Sequence, residues 1–116
     1  MNYIILLKPY IKEKELSILK KRIGQISPLY ILNSLSYFYK SIKYINGPPY
    51  ILFICCVILS IKYLSDSAYS LQEWSKLTNV SIPELIQTEI RLLKFLKYNL
   101  KTDYQEFQKI KQLYNK

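Results

Sequence analysis

The sequence contains no histidine, and its 116 residues include only 8 aspartates and glutamates together. Histidine is the side chain most often used as a general base and as a metal ligand, so its absence leaves few ways to build an acid–base or zinc site. No serine-centred nucleophile motif and no glycine-rich phosphate loop is present. We therefore expect a protein that is not an enzyme, that holds no metal or other cofactor and that has no small-molecule substrate.

Glycine and cysteine are also scarce, with two residues of each. So little glycine argues against a turn-rich β protein and favours long helices. Cys55 and Cys56 are adjacent, and on a helix adjacent side chains point in different directions, so these two thiols cannot bond to each other. The absence of a disulfide scaffold is typical of a reducing compartment.

Long apolar segments are missing as well. The most hydrophobic run, residues 51–61, falls well short of the ~20 residues needed to cross a bilayer. The segment YIILL at 3–7 is too short for the core of a signal peptide and has no cation before it. We expect an intracellular protein, nuclear or cytoplasmic, that does not bind a membrane.

The charge is strongly positive, with 17 lysines and arginines and a net charge of +9. The cations of the first quarter of the chain are Lys8, Lys12, Lys14, Lys20, Lys21 and Arg22. Such a concentration can mark a nucleic-acid face, or it can be the solvated surface of a helix. Because no aromatic RNA-binding signature or zinc spacing accompanies it, we favour the solvated surface and expect no nucleic-acid partner.

Apolar residues recur three or four apart along nearly the whole chain, which predicts an all-α protein. The first helix should begin near Ile11 and end at Gly24, a residue that tolerates positive φ. Ser27-Pro28 has the form of a cap followed by proline at the first helical position, and the helix it opens should run to Asn46-Gly47. Pro48-Pro49 then begins the third helix.

The third helix contains the run at 51–61, which is hydrophobic on every side. A helix without a polar face belongs in the middle of a bundle. Two capping boxes, Ser70–Glu73 and Ser81–Glu84, predict the starts of a short helix and a long one. We expect one domain over 1–116, with a core at about 11–100 and a short terminal helix at about 102–114.

Two charges stand where the pattern calls for apolar residues. Lys62 ends the hydrophobic run, and Glu89 interrupts an apolar stripe on the long helix that comprises Ile82, Ile86, Leu93, Leu96 and Leu100. A lone carboxylate on an apolar face is costly unless it is paired, and Lys62 is the obvious partner. Alternatively, Lys62 extends to water at a helix C-terminus and Glu89 lies at the rim of the core. A third reading is that a partner protein completes the pair, since charged hydrogen bonds set register across an interface.

Residues 51–100 carry an ordered set of motifs. An aliphatic run ends in Lys62-Tyr63-Leu64-Ser65-Asp66, the short helix holds Trp74, and a helix start follows at Val80–Leu85. The last motif consists of Glu89, Leu93, Leu96, Tyr98 and Leu100. With these motifs the sequence resembles a cyclin box, most closely the phosphate-pathway (P/U-type) cyclins of fungi, over roughly residues 16–108. The resemblance implies a single five-helix cyclin-box bundle around a buried central helix, with a short extra C-terminal helix.

The resemblance also implies a function, that of a regulatory subunit that binds and activates a cyclin-dependent protein kinase through the third and fifth box helices. In such a subunit Lys62 and Glu89 would contact the mobile regulatory helix of the kinase. The apolar part of the interface would come from Leu59, Tyr63, Leu93, Tyr98 and Leu100. Docking would favour the kinase conformation in which the glutamate of that helix pairs with the ATP-orienting lysine.

The sequence departs from the family pattern in places. Arg22 fits an arginine of the first box helix that cyclins bond to an aspartate, but Tyr39 occupies the aspartate position. Arg22 and Trp74 are the residues to which the resemblance assigns structural roles. The hydrophobic substrate-docking patch of A-type cyclins is not recognisable in residues 21–28.

Two other functions stay open. A cyclin-fold transcription adaptor similar to transcription factor IIB would use the basic first quarter on DNA, but it normally needs two cyclin folds. A small helical interaction protein would have no kinase partner at all.

Overall fold

The computed structural model describes residues 6–22, 26–64 and 70–97, together with 105, 108, 109 and 112, apart from the side chains of Arg22 and Leu64. Within these residues five helices have described bounds, residues 6–7 and 105, 108, 109 and 112 are also helical, and no strand occurs. The helices are α1 (Glu13–Arg22), α2 (Pro28–Ser41), α3 (Pro49–Leu64), α4 (Leu71–Thr78) and α5 (Ile82–Phe95). The predicted all-α bundle is confirmed. Most of the predicted terminal helix at 102–114 lies outside the described residues.

The third helix, α3, lies at the centre of the bundle. Each residue from Tyr50 to Ile61 is at most 8% exposed. Because this helix has no polar face, it must be covered on nearly every side, and it packs against both α2 and α5. Phe38 of α2 meets Phe53 of α3 edge to face, with ring centroids 5.6 Å apart. None of the helices in the described residues is long and apolar enough to span a bilayer.

Serine caps start α4 and α5, as predicted. The hydroxyl of Ser70 accepts a hydrogen bond from the backbone N–H of Glu73, and that of Ser81 accepts one from Glu84, at 3.2 and 3.4 Å. The glutamates do not reach back to the serine backbone, because their carboxylates accept hydrogen bonds from the serine hydroxyls at 3.3 and 2.8 Å. Each carboxylate still lies at a helix N-terminus, where the dipole favours negative charge.

The predicted bounds of α2 are wrong at its C-terminal end. The helix ends at Ser41, and the chain then turns, with the Ser41 carbonyl accepting from the N–H groups of Tyr44 and Ile45 at 3.0 Å each. Ile45 still packs against the core, which is why the apolar spacing continues beyond the helix. At the other end Pro28 occupies the first helical position as predicted, but the Ser27 side chain makes no capping hydrogen bond.

Ser36 of α2 is buried, and in the described part of the molecule its hydroxyl has no hydrogen-bond partner. We predict that Ser36→Ala raises the free energy of unfolding by about 1 kcal/mol, because it removes a desolvated polar group and improves helix propensity. Urea denaturation measures this. Ser41→Ala is the matched control, since the Ser41 hydroxyl donates to the Tyr37 carbonyl at 2.7 Å and its loss should not stabilise. Equal effects of the two substitutions would contradict the prediction.

Candidate functional site

The two charges singled out in the sequence meet in the structure. The Lys62 Nζ, in the last turn of α3, donates to the Glu89 Oε1 of α5 at 2.8 Å. The lysine side chain is 43% exposed and the glutamate side chain 12% exposed. The pair therefore marks the place where the buried central helix emerges at the surface beside α5.

This ion pair adds little to the stability of the fold. Pairs with one solvated partner are screened by water and typically contribute about 0–1 kcal/mol. Its effect is to hold the long Lys62 side chain in one place on the surface. The geometry thus fixes a positive and a negative group side by side, and the lysine remains accessible to solvent.

The core-facing side of α5 is not the one that the sequence pattern predicted. Leu85 and Leu92 are fully buried, whereas Ile86 of the predicted stripe is 41% exposed and Ile90 is 46% exposed. At about 100° per residue, Glu89 lies between the buried leucines on one side and the two isoleucines on the other. The glutamate thus stands at the margin of the core, with an exposed apolar strip beside it. The sequence pattern could not show which side of α5 faces the core, because the helix carries apolar residues on both the buried and the exposed side.

The ion pair and its apolar neighbours form one surface, which we call the α3–α5 face. It comprises Lys62, Ile86, Glu89, Ile90 and Leu93. Tyr63 borders it on the side of α2, near enough to Tyr37 to add to the rise that burial causes in the pKa of that residue. Tyr63, Ile86 and Ile90 are exposed, and Leu93 is partly buried against the core. A surface with apolar side chains around a fixed pair of charges is suited to a protein partner, because it offers both buried area and register.

The other residues that the resemblance assigned to this surface differ in their placement. Leu59 is 3% exposed, so it supports the α3–α5 face from below. Tyr98 and Leu100 lie outside the described residues. Their contribution to an interface stays a prediction.

Of the predicted structural residues, Trp74 is buried in the core on α4. Arg22 is the last residue of α1, and its side chain is outside the description. Tyr39 does not act as a substitute acid, because its hydroxyl donates to the Leu6 carbonyl at 3.3 Å. Burial, with a smaller contribution from Tyr10, raises the pKa of Tyr39. The hydrogen bond from Tyr39 thus links α2 to the segment before α1.

Neither cysteine is placed to act as a nucleophile, because both are buried. Cys55 lies between α3 and α5, where its thiol donates to the Leu85 carbonyl at 3.5 Å. Burial raises the pKa of Cys55 to about 12, the Glu89 carboxylate adds to the rise and the Lys62 ammonium opposes it. Burial raises the pKa of Cys56 well above its ordinary value. Both thiols therefore stay protonated at neutral pH, and the thiolate is the reactive form.

A further polar cluster was not predicted from the sequence. Asn33 and Tyr37 of α2 and Ser60 of α3 are all buried and joined by hydrogen bonds. The sequence signal was the presence of polar residues in otherwise apolar segments. No group of three histidine, cysteine, aspartate or glutamate side chains that could hold a metal ion occurs among the described residues.

Comparison with known proteins assigns a family to this arrangement. A family model described as cyclin matches residues 13–100, which include all five helices. Over 56 residues the sequence is 38% identical to PHO85 cyclin-5 of Saccharomyces cerevisiae, a match that covers 48% of this chain and 24% of the relative. The match thus spans about a quarter of the length of that curated protein. No solved structure matches the chain.

The buried Cys55 thiol should make stability fall at alkaline pH. Its pKa is about 12 in the folded state against 9.0 ordinarily, so between these values the unfolded chain loses a proton that the folded chain keeps. The free energy of unfolding therefore decreases as pH rises through this window, by about 1 kcal/mol per pH unit from this group.

Urea denaturation between pH 8 and pH 10.5 measures that slope. Tyr37 and Tyr50, whose pKa values burial raises to about 12, contribute in the same direction. Cys55→Ala is the control, and we expect it to make the slope shallower by roughly the amount assigned to one group. An unchanged slope in Cys55→Ala would contradict the assignment.

Proposed function

Because this chain belongs to the cyclin family, we propose that it is a regulatory subunit that binds and activates a cyclin-dependent protein kinase. The α3–α5 face is the proposed docking surface. The observation that carries this proposal is the 2.8 Å pair of Lys62 and Glu89 on apolar helix surfaces, in which the lysine side chain is 43% exposed and the glutamate side chain lies at the margin of the core. An ion pair that stabilises the free protein so little is better explained by a partner that uses it.

The comparisons support this proposal at the level of the family. Cyclins are regulatory subunits, and the name of the yeast relative pairs a cyclin with PHO85. The matched residues 13–100 contain both helices of the α3–α5 face. The resemblance predicted from the motifs at 51–100 is confirmed. We take PHO85 as the first partner to test.

The energetics of docking follow from the character of the face. Binding would bury the exposed parts of Tyr63, Ile86 and Ile90, and apolar burial contributes about 25 cal/mol per Å². Aromatic side chains usually dominate the affinity of an interface, which makes the exposed Tyr63, at the border of the face, the expected anchor. Lys62 and Glu89 would set the orientation of the partner. Because they are already paired, less side-chain entropy is lost when the complex forms.

Activation would be a shift in the populations of the kinase. A subunit that binds only the conformation with an ordered regulatory helix stabilises that conformation by its differential affinity. The chemistry of phosphoryl transfer would belong entirely to the kinase. This chain would supply the surface and no catalytic group, and it would act in the nucleus or the cytoplasm.

We predict that Lys62→Glu and Glu89→Lys each weaken binding to purified PHO85 by at least about 2 kcal/mol, or roughly 30-fold. Each reversal places two like charges in contact and presents the wrong sign to the partner. Titration calorimetry measures the affinity, and circular dichroism should show an unchanged helical spectrum. Lys20→Glu, a reversal on the exposed surface of α1, is the matched control and should bind as the wild type does.

Wild-type affinity in both reversals would contradict the assignment of the α3–α5 face. The wider proposal has its own test, a pull-down with the tagged chain from extracts of its own cells followed by mass spectrometry. A cyclin-dependent kinase among the captured proteins is the expected result. A set of captured proteins with transcription factors and no kinase would favour the adaptor function instead, as would separately measured DNA binding that falls steeply with salt.

A further inference from the structure

A hydrogen-bonded cluster of buried polar groups joins α2 to the last turns of α3. The Asn33 Nδ2 donates to the Tyr37 hydroxyl at 2.9 Å and to the Ser60 Oγ at 3.3 Å. The Ser60 hydroxyl donates in turn to the Tyr30 carbonyl at 2.9 Å. We call Tyr30, Asn33, Tyr37 and Ser60 the Asn33 cluster. Through this cluster the C-terminal part of α3 is hydrogen-bonded to α2.

Ser60 lies two residues before Lys62 on α3. At about 100° per residue, the two side chains are separated by about 160° around the helix axis. Ser60 therefore faces α2, and Lys62 faces α5, where it meets Glu89. The same turn of α3 is held from opposite sides, by the Asn33 cluster on one and by the ion pair on the other.

The two kinds of contact constrain α3 differently. Most of the remaining cover of α3 is apolar, and the hydrophobic effect is non-directional, so it favours burial more than any one rotation of the helix. Two directional contacts lie nearer the start of α3, that of the Tyr50 hydroxyl with the Thr78 carbonyl at 2.8 Å and that of the Cys55 thiol with the Leu85 carbonyl at 3.5 Å, and neither belongs to its last turns. A buried asparagine specifies register between helices at some cost in stability, as it does in coiled coils. Hydrogen bonds at 2.9 to 3.3 Å depend on both distance and angle, so they define how α3 is rotated relative to α2.

A small rotation matters at the surface. Side-chain tips lie about 6 Å from a helix axis, so a rotation of about 15° moves them by about 1.5 Å. That displacement is enough to break a hydrogen bond such as the 2.8 Å contact of Lys62 with Glu89. Tyr63 would move with the lysine because it belongs to the same turn.

We propose that Asn33 and Ser60 are positioning residues that set the rotation of the last turns of α3 and thereby place Lys62 on the α3–α5 face and Tyr63 at its border. The part of this inference that concerns a kinase rests on the proposed function. The part that concerns Lys62 and Glu89 does not, because their contact exists in the free chain. The two parts are tested separately.

The first test needs no partner and compares the wild type with the double variant Asn33→Leu/Ser60→Ala. The Asn33 amide and the Ser60 hydroxyl are removed together because removing one alone would leave the other buried without that hydrogen-bond partner. The readout is the nuclear Overhauser effect between the side-chain methylene protons of Lys62 and Glu89. We expect it in the wild type and expect its loss in the variant, with a helical spectrum and a cooperative melting transition retained. An undiminished effect in the folded variant would overturn the proposal.

The second test measures affinity for purified PHO85 in a double-mutant cycle. The Asn33→Leu/Ser60→Ala change should weaken binding at least tenfold when Lys62 is present. It should weaken binding less than twofold in the Lys62→Ala background, because there is then no ammonium group to position. Equal losses in the two backgrounds would show a general loss of structure and would overturn the positioning role.

Two controls keep the outcomes separate. If the double variant does not fold, Ser60→Ala alone is used, since it keeps the hydrogen bond between Asn33 and Tyr37 and removes only the link to α3. If the wild type does not bind PHO85, the kinase part fails together with the proposed function. The Overhauser measurement still decides whether the Asn33 cluster positions Lys62.

Discussion

The structure depends on one constraint, which is that α3 has no polar face and must be covered almost completely. Its neighbours follow from this requirement, because a helix buried on every side from Tyr50 to Ile61 needs α2 and α5 against it. The burial of α3 ends at Lys62, whose side chain is 43% exposed. Lys62 is the one charged residue in the sequence of α3, and it stands at the exit of the helix from the core, where it meets the carboxylate of Glu89.

The polar groups of the molecule add specificity to a fold that apolar burial stabilises. Serine caps mark the starts of α4 and α5, and the hydrogen bonds of the Asn33 cluster link α2 to α3 and favour one rotation of α3 relative to α2. The ion pair fixes the surface at which α3 and α5 adjoin. None of these contributes much more than about 1 kcal/mol to folding. Together they determine which side chains stand on the α3–α5 face and where.

Most of the fold could be predicted from the sequence, because the helix starts carry local chemistry. The capping serines and Pro28 act within a few residues of themselves, so the sequence predicts the helix starts correctly. Two details differ, because Glu73 and Glu84 bond to the serine hydroxyls and the Ser27 side chain makes no capping hydrogen bond. The end of α2 was predicted wrongly, since apolar spacing reports packing against the core, and Ile45 makes such packing from a turn, where it is partly buried. The meeting of Lys62 with Glu89 was predicted from two charges in apolar surroundings. The exposure of Ile86 and Ile90 was not predicted, because α5 is apolar on two sides and tertiary contacts decide which side faces the core. The buried link from Asn33 to Ser60 was missed because neutral polar residues in apolar segments, unlike two opposite charges, do not indicate which residues they pair with.

The central claim is that the pair of charges at the edge of the core serves a partner more than it serves the fold. Exchanging the two residues, in the variant Lys62→Glu/Glu89→Lys, tests this most directly. The exchange keeps opposite charges in contact and so should restore the melting temperature of the wild type, but it reverses the signs that a partner meets. The account predicts that the exchanged protein is as stable as the wild type and still binds its kinase at least about 30-fold more weakly. Recovery of wild-type affinity by the exchange would contradict the claim, because it would show that the pair acts only within the chain.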